Sequence, residues 1–384
     1  MKIYLIAGEP SGDLLGSRFM YAMKNKHPDV EFVGVGGESM EKAGLKSLFD
    51  ISDLAVMGLA EVIPSIPKIL GLIKKTVADV EAQKPNVIMT IDSWSFGARV
   101  QKLIRKKKLG IPQVHYVAPQ VWAWKKKRAK TMYKYVDLLL TLLPQEPKYF
   151  TPYKLEAVCV GHPVIESQVV NGDAKAFRQQ YGISDNKTII SVLPGSRHNE
   201  VSLLLPVFIE SMKQLFTKNP DLHFVIPTVK TVAERVKKMC AGTDLPLTIV
   251  EDEENRYNAF KASAAAIAAS GTVALELAIA DVPHVIGYKV APLTGWLARK
   301  FLHIQFVNLS NIILGREIIP ELLQERCCVA NICLYIRGLL EHNDWYDKQM
   351  DGFKKVRSLL GMGEQTPSER ACDIVCKLID KNKK

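Results

Sequence analysis

Short, β-rich apolar runs alternate with helix-length segments along almost the whole of this 384-residue chain. The runs fall at 2–7, 30–35, 86–91, 112–117, 137–142 and 157–160, and resume at 187–193, 222–226, 246–250, 264–269 and 283–288. A strand buried on both faces reads as an unbroken apolar run, and such strands separated by helices form βαβ units with parallel sheets. Eleven runs are more than one doubly wound sheet comfortably holds, so two Rossmann-like α/β domains in tandem are expected. Turn signals at Gly161-His162-Pro163 and Asn171-Gly172-Asp173 set the boundary. The expected division is 1–165, 166–345 and a helical tail over 346–384. That tail packs on the second domain, returns to the first or exchanges with another subunit.

Composition narrows the function. Hydrophobic residues are 47% and charged residues 24%, which excludes wholesale disorder, collagen and coiled coil. The excess of 51 basic over 40 acidic residues, +11, favours a polyanionic partner. No RRM, KH or helix-turn-helix signature accompanies it, so nucleic acid is not expected. Lys125, Lys126, Lys127 and Arg128 follow Trp122 and Trp124, a combination suited to an anionic membrane surface. The apolar segment with Val56, Met57, Leu59, Ile63, Ile66 and Ile69 reads as a loop and helix that meet acyl chains. Pro64 and Pro67 within it argue against one straight helix. Polar residues interrupt the longest apolar stretches, 54–73 and 262–280, so neither makes a good spanning helix. The first apolar run, of about six residues, is too short for a signal peptide and reads as a buried strand. Seven cysteines without a CxxC pair imply reduced thiols in a cytosolic chain.

Four motifs follow strands and open helices, where open α/β sheets bind ligands. Ala7-Gly8-Glu9-Pro10-Ser11-Gly12-Asp13 puts Glu9 at a carboxyl edge and Asp13 in a first helical turn. Asp92 directly follows the run 86–91. Two acids at neighbouring strand ends can divide the work of base and orienter. Pro194-Gly195-Ser196-Arg197 offers a close backbone approach, a hydroxyl, free N–H groups and a bidentate cation for phosphate. Ser270-Gly271-Thr272 repeats that layout, and Glu276 lies one turn beyond Thr272, placed to accept two hydroxyls of a ribose. Asn308, Ser310 and Asn311 suggest a polar wall to the ligand site. His115 and His162 read as hydrogen-bonded structural histidines. No HxH, HExxH or DxD pattern occurs, so neither a metal nor another cofactor is expected. Without DxD, a departing diphosphate must be stabilised by arginine and helix N-termini.

In order along the chain stand AGEPSGD from 7, VMGLAEV from 56, HYVAPQVWAWKKKR at 115–128, GHP from 161, LPGSRHNEV from 193, ASGTVALELA from 269 and NLSNIILGREIIPELLQ at 308–324. Together these motifs resemble the lipid-A-disaccharide synthases, inverting glycosyltransferases of the GT-B type, over residues 3 to about 328. The resemblance implies two Rossmann-like domains facing a cleft. It implies a UDP-2,3-diacylglucosamine donor, a 2,3-diacylglucosamine 1-phosphate acceptor and a β-1,6-linked disaccharide 1-phosphate product. It also implies a homodimer, peripheral on the cytoplasmic face of a Gram-negative inner membrane. Carried onto this sequence, the catalytic acids are Asp92 and Glu9. The UDP site comprises Ser196, Arg197, Ser270, Gly271, Thr272, Glu276 and Asn311. One departure stands out: the family pattern resembles DxPDF, whereas this chain reads Asp92-Ser93-Trp94-Ser95-Phe96. The competing readings are another UDP-sugar GT-B enzyme, such as an N-acetylglucosaminyltransferase or 2-epimerase, and a non-catalytic basic protein that binds membrane or RNA.

Overall fold

A computed structural model of the chain describes residues 1–54, 59–121, 126–290 and 305–382, with backbone alone at 59–65 and 126. The chain divides into two units, Met1–Pro163 with Gly363–Lys384, and Val164–Met362.

The first unit runs β1 (Lys2–Ala7), α1 (Pro10–Lys26), β2 (Glu31–Val35), α2 (Glu38–Lys42), α3 (Leu59–Gln83), β3 (Val87–Ile91), α4 (Trp94–Lys106), β4 (Gln113–Tyr116), α5 (Ala129–Met132), β5 (Leu138–Thr141) and β6 (Glu156–Cys159). The second runs α6 (Ala174–Gln180), β7 (Thr188–Leu193), α7 (His198–Lys218), β8 (Leu222–Pro227), α8 (Lys230–Cys240), β9 (Leu247–Val250), α9 (Glu253–Ala262) and β10 (Ser263–Ala269). It continues through α10 (Thr272–Ile279), β11 (His284–Tyr288), α11 (Leu309–Leu314), β12 (Glu321–Leu323), α12 (Val329–Leu340) and α13 (Asp344–Leu360). The last helix, α14 (Pro367–Asn382), belongs to the first unit.

Each unit holds a six-stranded parallel sheet, ordered β2-β1-β3-β4-β5-β6 and β12-β11-β10-β7-β8-β9. The unbroken apolar runs have the anticipated cause. Along β1, Ile3, Leu5 and Ala7 join one core cluster, and Tyr4 and Ile6 join another. Burying one such side chain fully contributes about 1.5–3 kcal/mol. Where β2 lies against β1, Gly34 has φ +128° and an added Cβ would sit 2.0 Å from the Leu5 carbonyl oxygen. Only glycine fits there.

Three expectations need adjusting. Helix α3 continues through Pro64 and Pro67, where a break was anticipated. A proline within a helix forfeits one hydrogen bond; here the buried anchors Ile73, Val77 and Val80 follow on the same helix. The three-residue strand β12 was not anticipated, being shorter than the period-2 signal needs. Residues 346–362 stay with the second unit, because α13 buries Phe353, Val356 and Leu360 in its core. Only the segment from 363 returns to the first unit. There Ala371, Cys372, Val375 and Ile379 of α14 share a core with Phe19, Met20 and Met23 of α1.

Candidate active site

In an open parallel sheet the crevice lies where the strand order reverses, at the carboxyl ends of the strands. In the first unit that point is between β1 and β3, paired in register from Ile3↔Val87 to Ala7↔Ile91. Glu9 and Asp92 are two residues and one residue past those ends.

The backbone at this edge is strained. Asp92 has φ +54° and Ser93 φ +31°, and on the neighbouring strand Val117 has φ +82°. Each such residue costs about 1–3 kcal/mol, and strain of this kind clusters at functional sites. Tertiary structure enforces it: Asp92 N–H donates to the Tyr116 carbonyl at 2.9 Å and Val117 N–H to Leu140 at 3.0 Å. Gly12 packs against this turn, its added Cβ only 2.9 Å from the Ile91 carbonyl oxygen.

The Asp92 carboxylate accepts the Ser11 hydroxyl at 2.7 Å. Glu9 is the N-cap of α1 and its side chain makes no capping bond. Burial, and then the Asp92 carboxylate, push the Glu9 carboxyl above its ordinary range, while a hydrogen bond with Ser93 pulls it back. Glu9 therefore lies within electrostatic reach of the Asp92 carboxylate. Asp13 does something else: buried, it accepts N–H groups of Gly37, Ser39 and Met40 at 2.7, 2.8 and 3.1 Å and caps α2. His115 is fully buried with Nδ1 2.6 Å from the Thr90 hydroxyl, and burial drops its pKa to about 3. Burial likewise lowers His162 to about 4. Trp94, the departure from the family pattern, opens α4 and packs edge-on to His115 at 4.9 Å and against Tyr135 at 6.1 Å. Ser95 is exposed.

In the second unit the order reverses between β7 and β10, and a cavity of about 290 Å³ lies there. Gly195, Ser196, Arg197, Ser270, Gly271 and Thr272 of the two turns line it, together with Thr228 and Arg256, which the sequence reading did not single out. The two turns differ. At the start of α7, Glu200 already accepts the N–H groups of Ser196 and Arg197 at 3.1 and 3.3 Å, and Arg197 Nη1 donates to its other oxygen at 2.8 Å. The expected free amides are thus occupied by an internal carboxylate. Gly195, at φ +109°, gives that carboxylate room, since a Cβ would lie 2.7 Å from Glu200 Oε2. Arg197 itself is 79% exposed and free to exchange partners. Among the described residues, helix α10 has no side-chain cap and nothing lies within 4 Å of a Cβ added at Gly271. The Ser270 hydroxyl donates to the Val307 carbonyl at 3.0 Å, so what this turn can offer an anion is its backbone N–H groups.

Glu276 is 13% exposed and lies 3.5 Å from Arg256. Burial raises its pKa, Arg256 counters that, and Glu253 adds to it. Arg256 escaped the sequence reading because it sits inside α9, away from any strand-end motif. Asn311 requires a correction. It is fully buried, its amide donating to Ile319 O and Glu321 Oε1 at 2.9 and 2.8 Å and accepting from Ile318 and Ile319 N–H at 2.8 and 3.0 Å. All four of its hydrogen-bonding positions are spent, so it fastens β12 to α11 rather than walling a ligand site. Asn308 caps α11 through Ser310 N–H at 2.8 Å.

Of the expected membrane-facing residues, Ile66 is exposed, Lys127 is exposed and Arg128 half-buried. Ile69 is half-buried and packs against the core cluster around Val77 and Phe96. Val56, Met57, Trp122, Trp124 and Lys125 lie outside the described residues, as do the side chains of Leu59, Ile63 and Lys126. No described helix is long and apolar enough to cross a membrane.

A family model described as lipid-A-disaccharide synthetase matches residues 3–375. The chain is 46% identical over 386 residues to a lipid-A-disaccharide synthase of Paramagnetospirillum magneticum, covering 100% of this chain and 99% of that one. Its fold is similar to that of UDP-GlcNAc 2-epimerase from Neisseria meningitidis, solved bound to UDP-GlcNAc, with TM-score 0.64 at 13% identity, covering 99% and 100% of the two chains. It is also similar to Acinetobacter baumannii MurG, with TM-score 0.59 at 15% identity, covering 98% and 99%. Two Rossmann-like parallel sheets and these neighbours make the fold GT-B-like.

Two outcomes are expected of these assignments. Glu9, with its carboxyl raised above 4.5, binds its proton more tightly folded than unfolded, so its contribution lowers stability as pH rises through the window above 4.5. Glu9→Gln should therefore melt higher than the parent at pH 7, and the gap should shrink as pH falls through that window. A gap that ignores pH refutes the assignment. Asn311→Ala leaves two buried N–H groups without acceptors, at about 1–3 kcal/mol each. Its melting temperature should fall clearly; unchanged melting with lost UDP binding would restore the ligand-contact role.

Proposed function

Because the chain belongs to the family of lipid-A-disaccharide synthetases, we propose that it joins UDP-2,3-diacylglucosamine to 2,3-diacylglucosamine 1-phosphate with inversion. The products are a β-1,6-linked disaccharide 1-phosphate and UDP. The observation that carries this reading is the pairing of contents with switch points. One sheet places two interacting acids at its reversal, and the other places small-residue turns with Arg197 and Arg256 around a cavity.

The first unit then supplies the base. The acceptor 6-hydroxyl gives its proton to Asp92, its oxygen attacks the anomeric carbon, and the bond from that carbon to the diphosphate oxygen breaks. The Ser11 hydroxyl, 2.7 Å from Oδ2, fixes the Asp92 carboxylate, and the strained turn holds it at the edge. Glu9 orients the acceptor or shares the proton. In the second unit the open N-terminus of α10 and Arg197 offset charge on the leaving diphosphate. Arg197 must release Glu200 to do so. A contact of this kind is worth about 3–4 kcal/mol in the transition state. Glu276 takes the ribose hydroxyls.

The same reading extends to location and assembly. Ile66 and Leu70, exposed on α3, and the basic run ending at Arg128 support attachment to an anionic membrane, with each cation adding about 1 kcal/mol. A homodimer at the inner face of that membrane completes it.

The decisive assay is UDP release with and without acceptor, in EDTA. Acceptor-dependent release is expected, whereas turnover of UDP-sugar without acceptor would favour an epimerase. Asp92→Asn should lower kcat about a hundred- to ten-thousandfold with UDP affinity intact, and normal turnover would sink the base assignment. Replacing Lys125–Arg128 with serine should weaken liposome binding at low salt; equal flotation of variant and parent refutes the membrane surface.

A further inference from the structure

Arg256 lies on no strand-end turn, yet it lines the cavity of the second unit and is the ion-pair partner of Glu276. Its own position is set from α9. Nη2 donates to the Tyr257 hydroxyl oxygen at 2.9 Å and to Glu253 Oε1 at 3.3 Å. The Tyr257 O–H donates in turn to Glu253 Oε1 at 2.8 Å, and the guanidinium lies 4.8 Å from the centroid of the Tyr257 ring. Asp252 caps the helix through Asn255 N–H at 2.8 Å and keeps this turn in place. The guanidinium is thus held by two residues, Glu253 and Tyr257, before it meets Glu276.

Among the described residues, two buried polar atoms in this cluster have no hydrogen-bond partner: Glu276 Oε2 and Arg256 Nε. Thr228 Oγ1, on the cavity wall, is a third. Buried polar groups are nearly always satisfied; of these three, Thr228 and Arg256 line the cavity, and Glu276 stands outside the lining, paired with Arg256 one helical turn beyond the lining residue Thr272. Glu276 contacts Arg256 through Oε1, so the oxygen left over is Oε2. A carboxylate on a helix has two soft torsions beyond χ1 and does not by itself hold one oxygen toward a ligand.

We propose that Arg256 is a positioning residue for nucleotide recognition: it fixes Glu276 through Oε1 so that Oε2 is presented to the ribose diol of a nucleoside diphosphate. The proposal rests on the reading that this cavity binds UDP. It separates two jobs that a cavity-lining arginine can do. A direct phosphate contact would act on any diphosphate. A hold on Glu276 acts only on ligands with ribose hydroxyls. Removing the guanidinium leaves a largely buried carboxylate without its counter-charge, which reorients or neutralises it.

The test compares UDP with 2′,3′-dideoxyuridine diphosphate by calorimetry on the full chain, in the parent, Arg256→Met, Arg256→Lys and Glu276→Gln. The ratio of the two affinities is taken within each variant, so a general loss of folded protein cancels. The parent should prefer UDP by about ten- to a hundredfold, the strength of hydrogen bonds to a charged group. Arg256→Met and Glu276→Gln should both lose that preference. Arg256→Lys, which keeps the charge without the fork, should retain a reduced one and remains informative if the methionine variant folds poorly. A parental ratio in Arg256→Met or in Arg256→Lys, with both ligands weakened equally, would overturn the proposal and make Arg256 a phosphate contact. If the parent itself does not bind UDP, the reading of the cavity fails, and the proposal falls with it; that failure is visible before any variant is measured.

Discussion

A parallel sheet whose strand order reverses sends the helices after two adjacent strands to opposite faces, and nothing in the chain's own course closes the edge between them. The rest of this molecule depends on that gap. It opens once between β1 and β3 and once between β7 and β10. Each time the residues just past the strand ends are those with chemistry to offer. The cores on either side, continuous through alternating side chains of each strand, hold the edges rigid enough for a few ångströms to matter.

The two gaps are furnished by different physics. In the first unit the backbone itself is bent: Asp92, Ser93 and Val117 sit in the left-handed region, held there by ladder hydrogen bonds to Tyr116 and Leu140. The strain aims one acid at an edge where a second acid already feels it. In the second unit the turns at the gap are left-handed only at Gly195, where a glycine adopts it readily, and charge arranges the site. Glu200 fills the amides of one turn, α10 leaves its own open, and Arg256 and Glu276 form a partly buried pair beside them. Such a pair is held together as much by what its removal would expose as by its own attraction.

The polar residues that looked alike in the sequence proved to have different duties. Asp13 and Glu9 stand four residues apart in one motif, yet Asp13 spends its carboxylate on three amides of α2 while Glu9 caps nothing. Asn311 and Ser270 lie in comparably polar stretches, yet Asn311 is consumed by the residues just before β12 and by β12 itself, an element too short to be seen in advance. Pro64 and Pro67 looked like a helix break, but α3 runs through both, with Ile73, Val77 and Val80 anchoring it further on.

What the sequence determined alone is what local pattern can encode. Unbroken apolar runs specify strands buried on both faces, their alternation with helices specifies parallel sheets, and small residues after a strand specify an approachable edge. Glu9, Asp92, Arg197 and Glu276 were legible because each follows such a strand by a few residues. What only the tertiary structure decided is which polar groups are already satisfied and which are left over. Asn311 is excluded by four hydrogen bonds, and Arg256 enters from a helix with no motif. The same structure sends the segment from 363 back to pack Ile379 on α1, leaving 346–362 behind with the second unit. Hydrogen-bond satisfaction and burial are sums over neighbours brought from distant parts of the chain, and no spacing along the sequence contains that sum.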